Sequence, residues 1–316
     1  MTMDPQVLAM LADRPRAAES SPGGTTIQEM RAAYTQVGQR LGGPARTVAS
    51  VETLSAPGPA GPIPLRLYRP LGSSEGLQPG SIYVHGGGWV MGDLDTHDKV
   101  CRRLAATCAL VVVAVDYRLA PEHPFPAGPD DVIAATRWIL ANAKDLGLDP
   151  ARIGIAGDSA GGSLAAVASL ATRDATGSPL SFQVLIYPGT NNTADAESAP
   201  SRIAQADTPP MSSDAMKAMI ASYLPDPEQA YDWRASPLLA QDHAGLPPAL
   251  VITGGFDPLR DEGIAYATRL ANCGVDVLHG HYAGQIHGFI EMGGVLDAVE
   301  DAMQTIAFWV ARNTHR

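Results

Sequence analysis

The pentapeptide Gly157-Asp158-Ser159-Ala160-Gly161 sets a serine hydroxyl between small residues, the pattern of a nucleophile elbow in which a strand turns sharply into a helix. Alone the pattern says little. With 32 glycines and 18 serines in 316 residues, roughly 0.2 matches arise by chance, and a second one stands at Gly72-Ser73-Ser74-Glu75-Gly76. Context separates the two. Ser159 follows the apolar run Arg152-Ile153-Gly154-Ile155-Ala156 and precedes Gly162-Ser163-Leu164-Ala165-Ala166, a strand-turn-helix frame, whereas Ser74 sits in a Gly/Ser/Pro loop and reads as a solvated turn. A serine at the positive end of a helix has backbone amides facing any negative charge that forms beside it. A plain helix cap would occupy the same place.

A serine hydroxyl is a weak nucleophile at neutral pH and needs an imidazole, which in turn needs a carboxylate to hold its tautomer. The chain order that accompanies this elbow is Ser, Asp, His. His85, His97 and His123 precede Ser159, His315 lies in the tail, and His243 comes before the seventh predicted strand. His279 and His281 alternate along one strand, but no third ligand accompanies them at a recognisable spacing, so no metal is expected. His287, in Gln285-Ile286-His287-Gly288-Phe289, follows that strand in a loop and is the better base; a solvated loop histidine is the bland alternative. Asp257, in Gly254-Gly255-Phe256-Asp257-Pro258, follows the preceding strand and also suits a helix cap, a role compatible with holding an imidazole. Asp261 falls within the next helix. The run His85-Gly86-Gly87-Gly88-Trp89 lacks Cβ atoms at three positions, so its amides can approach a ligand oxygen; a flexible surface loop would look alike.

With these residues in hand, the sequence resembles the hormone-sensitive-lipase-like (bacterial family IV) esterases of the α/β-hydrolase superfamily. The resemblance rests on His85 to Trp89 followed by Gly92, on Asp116-Tyr117-Arg118-Leu119-Ala120-Pro121-Glu122-His123-Pro124-Phe125-Pro126-Ala127, on Gly157 to Gly162, on Asp257 to Glu262, and on His287-Gly288-Phe289. It covers about residues 47–310 with the motifs in family order. It implies a Ser159, Asp257, His287 triad, an oxyanion hole made by the amides of Gly86, Gly87 and Ala160, and a His85 that shapes the glycine loop. It implies hydrolysis of neutral short- to medium-chain acyl esters without metal or organic cofactor, a two-part helical cap, and a homodimer through a sheet edge or terminal helix. Ser163 departs from the asparagine that many members carry.

The elements that must carry these groups follow from hydrophobic period. Strands are predicted at Thr47 to Ser55, Pro64 to Arg69, Ser81 to His85, Leu110 to Asp116, Arg152 to Ala156, Phe182 to Tyr187, Ala249 to Thr253 and Val275 to Tyr282. Helices are predicted between most later strands, at Thr96 to Cys108, Asp130 to Lys144, Gly161 to Arg173 and Asp261 to Cys273. The continuous apolar run from Leu110 to Val115 implies a strand buried on both faces. The first two strands, joined by a Pro/Gly turn, form a hairpin beside the parallel part. The fold class is therefore α/β: a mixed, mostly parallel eight-stranded sheet flanked by helices. Two segments break the rhythm. Residues 1–46 hold two amphipathic helices, one capped by Asp4 and one from Thr26 to Leu41, and residues 190–236 hold a polar loop with a helix from Ser212 to Tyr223. Together they are read as a helical cap over a catalytic core of 47–189 and 237–316. Trp89, Met211, Met216, Met219 and Tyr223 are candidates for an apolar substrate pocket, with ordinary cap-to-core packing as the alternative.

Composition narrows the remaining classes. The chain has 45% hydrophobic and 17% charged residues, enough apolar material for a large core, and a formal charge of −11 with no basic patch, which disfavours nucleic acid and anionic membranes. Cys101, Cys108 and Cys273 make an odd count, and the apolar stretch from Val7 to Leu11 is far shorter than a secretory core or membrane span. A cytoplasmic location is expected. A dinucleotide fold would need GxGxxG, but from Gly86 and Gly88 the third glycine would fall at Met91, and no P-loop lysine pattern occurs. Amidase, formamidase or acyltransferase chemistry could use the same triad, and a non-catalytic receptor of this fold would bind a small molecule without turnover.

Overall fold

The computed structural model describes residues 2–13, 26–72, 76–176 and 180–314; Ser74 and His315 lie outside them. Eight strands form one sheet: β1 (Ser50–Gly58), β2 (Gly61–Arg69), β3 (Gln78–Val84), β4 (Val111–Val115), β5 (Leu148–Asp158), β6 (Gln183–Ile186), β7 (Ala249–Phe256) and β8 (Val277–Ile286). Their order is β1-β2-β4-β3-β5-β6-β7-β8. β1 pairs antiparallel with β2 and β2 antiparallel with β4, while every later pairing is parallel. This is the predicted mixed sheet, with the hairpin at one edge.

The apolar run of β4 is explained by its two faces. Val111, Val113 and Val115 enter one core with Ile82, Val84 and Ile155, whereas Val112 and Ala114 enter the other with Tyr83 and Ala156. Helices cover both faces, so neither side of a central strand can be polar. They are α3 (Asp98–Cys108), α4 (Ala127–Ala141), α5 (Ala160–Thr176), α8 (Arg260–Asn272) and α9 (Ala298–Thr314). The last was not anticipated, although Val299, Ala302, Met303, Ile306, Trp309 and Val310 recur at helical spacing and are buried against the sheet.

Before β1 stand α1 (Pro5–Ala12) and α2 (Ile27–Leu41). Asp4 caps α1 through a bond from the Gln6 amide, and Thr26 with Glu29 closes a capping box on α2. The two helices part company. α1 is fastened to the core, where the Asp4 amide donates to Gly284 O (3.0 Å) and Gln6 meets Asp297. α2 lies instead over the carboxyl ends of the parallel strands: Arg31 donates to Val90 O (2.8 Å) and Ala120 O (3.1 Å) and pairs with Glu122 (2.7 Å). The segment 190–236 contributes α6 (Pro200–Ala204) and α7 (Ser213–Tyr223), the latter capped by Ser212.

Candidate active site

Ser159 occupies the single residue between β5 and α5 with φ 55°, a left-handed conformation that a non-glycine residue adopts at a cost and that projects its side chain off the end of the sheet. Such a turn needs flanks without side chains. A Cβ on Gly161 would run into the carbonyl oxygens of Val84 and His85, and one on Gly157 into Gly161 O. The Ser159 amide donates to Ile186 O (2.8 Å), which anchors the bend to β6.

Residues 128 positions apart then meet. Ser159 Oγ lies 2.8 Å from His287 Nε2, and His287 Nδ1 lies 2.9 Å from Asp257 Oδ2. With the Nδ1 proton donated to Asp257, Nε2 remains the acceptor that faces the serine hydroxyl. Asp257 follows β7 and is fully buried; its Oδ1 accepts from the Leu259 amide (2.7 Å), closing the turn that leads into α8, whose N-cap is Leu259, so Asp257 is not the helix cap the sequence also allowed. Burial opposes a charge on His287, but the Asp257 carboxylate, with Asp158 and Glu291 farther off, more than offsets it and holds the imidazole above its ordinary range.

A family model of the α/β-hydrolase fold matches residues 81–291. Over 258 residues the chain is 43% identical to Esterase LipI of Mycobacterium tuberculosis, covering 80% of this chain and 78% of that protein. It is 45% identical over 243 residues to Carboxylesterase NlhH of the same species, covering 76% and 75%. Among solved structures it resembles an α/β-hydrolase enzyme from the metagenome of Lake Arreo, Spain, with 40% identity, a TM-score of 0.91, and coverage of 100% and 99%. The chain belongs to the hormone-sensitive-lipase-like esterases of the α/β-hydrolase superfamily.

In this esterase the glycine run differs from expectation at one amide. The Gly86 N–H was expected to face a substrate oxygen, but it donates to Asp158 Oδ1 (3.0 Å) and is committed to holding the loop. Gly87 (φ 120°) takes a conformation closed to residues with a side chain, and Gly87 and Gly88 border the same cavity as Ser159. Ala160 begins α5, so its amide has no partner within the helix. His85 braces the run from behind. Its Nδ1 lies 2.8 Å from Gly86 O, its ring stacks on Tyr117 (4.3 Å), and burial together with neighbouring His97 pushes it down to about 4, so it is neutral.

Ser159 borders two unequal spaces. The larger, about 380 Å³, also touches His287, Gly288, Met211, Met219 and, from α2, Met30 and Tyr34. The smaller, about 20 Å³, touches Gly88, Trp89, Ala160, Met216 and Leu259 but not His287. Four of the five pocket candidates thus reach one space or the other. Tyr223 reaches neither: it is buried, stacks on Trp89 at 4.6 Å, and meets Phe125 edge-on. The contribution of α2 was missed, although Met30, Ala33, Tyr34, Val37 and Leu41 form an apolar stripe at helical spacing. His279 and His281 of β8 share the Thr253 hydroxyl of β7 (2.9 and 3.0 Å). Among the described residues the spacing a metal ion could bridge is found at His97, Asp158 and Glu291, whose ligand atoms lie within 4.8 Å of one another.

Proposed function

We propose that this esterase hydrolyses neutral carboxylic esters through an acyl-enzyme, with Ser159 as nucleophile, His287 as base and acid, and Asp257 as the group that orients and charges His287. The observation that supports the reading is the continuous relay from Ser159 Oγ through His287 to Asp257, with contacts of 2.8 and 2.9 Å. Ser159 Oγ bonds to the carbonyl carbon as its proton passes to His287 Nε2, and the carbonyl electrons move onto oxygen. The amides of Gly87, Gly88 and Ala160 receive that oxyanion, each contributing about 10² to 10³ in rate. As the tetrahedral species collapses, the C–O bond to the alcohol breaks and His287 returns the proton to the departing oxygen. Water repeats the sequence on the acyl-serine.

The two spaces divide the substrate. Because His287 must reach the leaving oxygen, the alcohol faces the larger space that His287 borders, and the acyl chain faces the smaller. A space of about 20 Å³ holds little more than one water-sized group, so the short end of the expected acyl range is favoured. Residues from 190–236 border both spaces and residues from α2 border the larger, which supports their reading as the cap. Three free cysteines support a reducing, cytoplasmic setting, and β8 at the sheet edge with exposed Phe308 on α9 supports a homodimer. Among the described residues no helix is long and apolar enough to cross a membrane.

The test is release of 4-nitrophenol from acetate, butyrate and octanoate esters. Turnover should be greatest for acetate, fall with acyl length, and drop by about 10⁶ in Ser159→Ala. Wild-type turnover in Ser159→Ala would sink the hydrolytic reading, and a preference for octanoate would reverse the assignment of the two spaces.

A further inference from the structure

Behind the glycine run lies a buried polar cluster that the steps above do not use. His97 Nε2 stands 3.4 Å from Asp158 Oδ1 and 3.9 Å from Glu291 Oε2, and the His97 and Asp158 side chains are each only 1% exposed. The contacts around His97 favour its doubly protonated form. The Thr96 hydroxyl donates its one hydrogen to Asp93 O (2.9 Å), so at 3.0 Å from His97 Nδ1 it accepts, and Nδ1 carries a proton. Nε2 is buried and makes no hydrogen bond, but it faces the Asp158 and Glu291 carboxylates at ion-pair distance, a setting that favours a second proton and hence the imidazolium.

Its two carboxylates reach different parts of the active site. Asp158 Oδ1 accepts from the Tyr83 hydroxyl (2.7 Å) and from the Gly86 amide (3.0 Å), the peptide that opens the glycine run. Glu291 ends the turn Phe289–Glu291 just after His287, and it lines the same cavity as the Tyr34 phenol of α2, which burial and the Glu291 charge push up. We propose that His97 is a positioning residue, whose charge joins Asp158 to Glu291 and so fixes the glycine-run amides, the turn that carries His287, and the cap helix α2 relative to one another.

The charges support this. Burial alone would strip the proton from His97, but Asp158 and Glu291 push it up to about 9. Burial would raise Asp158, yet His97 beside it holds its carboxyl below the usual range. The ionisable groups that face His97 are Tyr34 from α2, Tyr83 from β3, His85, Asp93, Asp158 and Glu291. Asp158 also raises Cys101 on α3, Asp158 and Glu291 both raise Tyr187 after β6, and His287 acts on Glu291. Since His85 is neutral, the imidazolium of His97 is the charge that balances the pair. His97 is raised to about 9 and burial with Asp158 raises Glu291 to about 6, so the joint is complete between those values: it is lost as pH rises through about 9, and its Glu291 arm is lost as pH falls through about 6.

The inference rests on the proposed oxyanion role of Gly87 and Gly88, and its test separates the two. Full-length wild type, His97→Gln and Glu291→Gln are assayed with 4-nitrophenyl acetate from pH 5 to 10.5, with thermal melts in parallel. In His97→Gln, kcat should fall about 10- to 100-fold, less than deletion of the nucleophile but comparable with disturbing one oxyanion donor, while KM stays within about threefold. The wild-type decline near pH 9 should vanish in that variant. Glu291→Gln keeps the size of the side chain but removes one charge, so the decline should move to lower pH. That variant also carries the test if His97→Gln does not fold. Folded variants with wild-type kcat and an unmoved high-pH decline would overturn the proposal. So would loss of wild-type activity on dialysis against a chelator with recovery on adding zinc, since a cation rather than a proton would then join the three side chains.

Discussion

His287 connects the acidity of the site to its rate. Burial disfavours its charged form, and Asp257 foremost, then Asp158 and Glu291, favour it, with the carboxylates together prevailing, so its pKa stands above the ordinary 6.5. A general base must be neutral to accept the serine proton, hence kcat/KM should decline as pH falls through that raised value, beginning above pH 6.5. Asp257→Asn removes the largest of these charges. The acid limb should move to lower pH and kcat should drop by about 10⁴, both read from pH–rate profiles; an unmoved limb would show that Asp257 is not what charges His287. These three residues were legible in the sequence because each sits in a short motif of fixed chain order. The commitment of Gly86 to Asp158 was not legible, because a glycine run carries no sign of which amide points where.

At the scale of the element, the bend between β5 and α5 is the part on which the chemistry depends most. It brings α5 so close to the end of β3 that even one methyl group at Gly161 meets the backbone oxygens of Val84 and His85, which cannot swing aside as a flexible side chain could. Gly161→Ala should therefore lower the unfolding free energy by about 1 to 3 kcal/mol. It should also cut kcat at least about tenfold, since a shift of the elbow misaligns Ser159 with His287. Denaturant unfolding and esterase assays on the same preparation would check both, and full activity with unchanged stability would contradict the close approach. The glycine requirement was readable from the pentapeptide. The support of Trp89 by Tyr223 was not, because stacking between a loop and a distant helix leaves no periodic trace.

Across the whole molecule, the insertion that shapes the site is tied to the core by a buried ion pair. Arg202 on α6 contacts Glu262 on α8 at 2.6 and 3.1 Å, and Glu262 also accepts from the amides of Thr190 (2.7 Å) and Asn191 (3.2 Å). Burial nonetheless raises Glu262 above the usual carboxylate range against the pull of Arg202. The pair is thus better at specifying where the insertion sits than at stabilising it. Glu262→Gln strands the Arg202 charge and should cost about 3 to 5 kcal/mol in unfolding free energy. The double change Arg202→Met, Glu262→Leu should recover most of that loss while broadening acyl-length preference, because the smaller space is bordered by Arg202. A double variant no more stable than Glu262→Gln would count against this account.

Sequence alone determined the sheet, the elbow and the three residues of the relay. Strand and helix periods follow from which faces meet water, and the motifs follow from backbone sterics around Ser159, both of which are local properties of the chain. The parting of α1 from α2, the unequal spaces beside Ser159 and the joining of His97 to Asp158 and Glu291 were decided only by the tertiary structure. The reason is distance along the chain: Tyr34, His97, Asp158 and Glu291 come from four separate elements, and no local pattern records that they share one buried site.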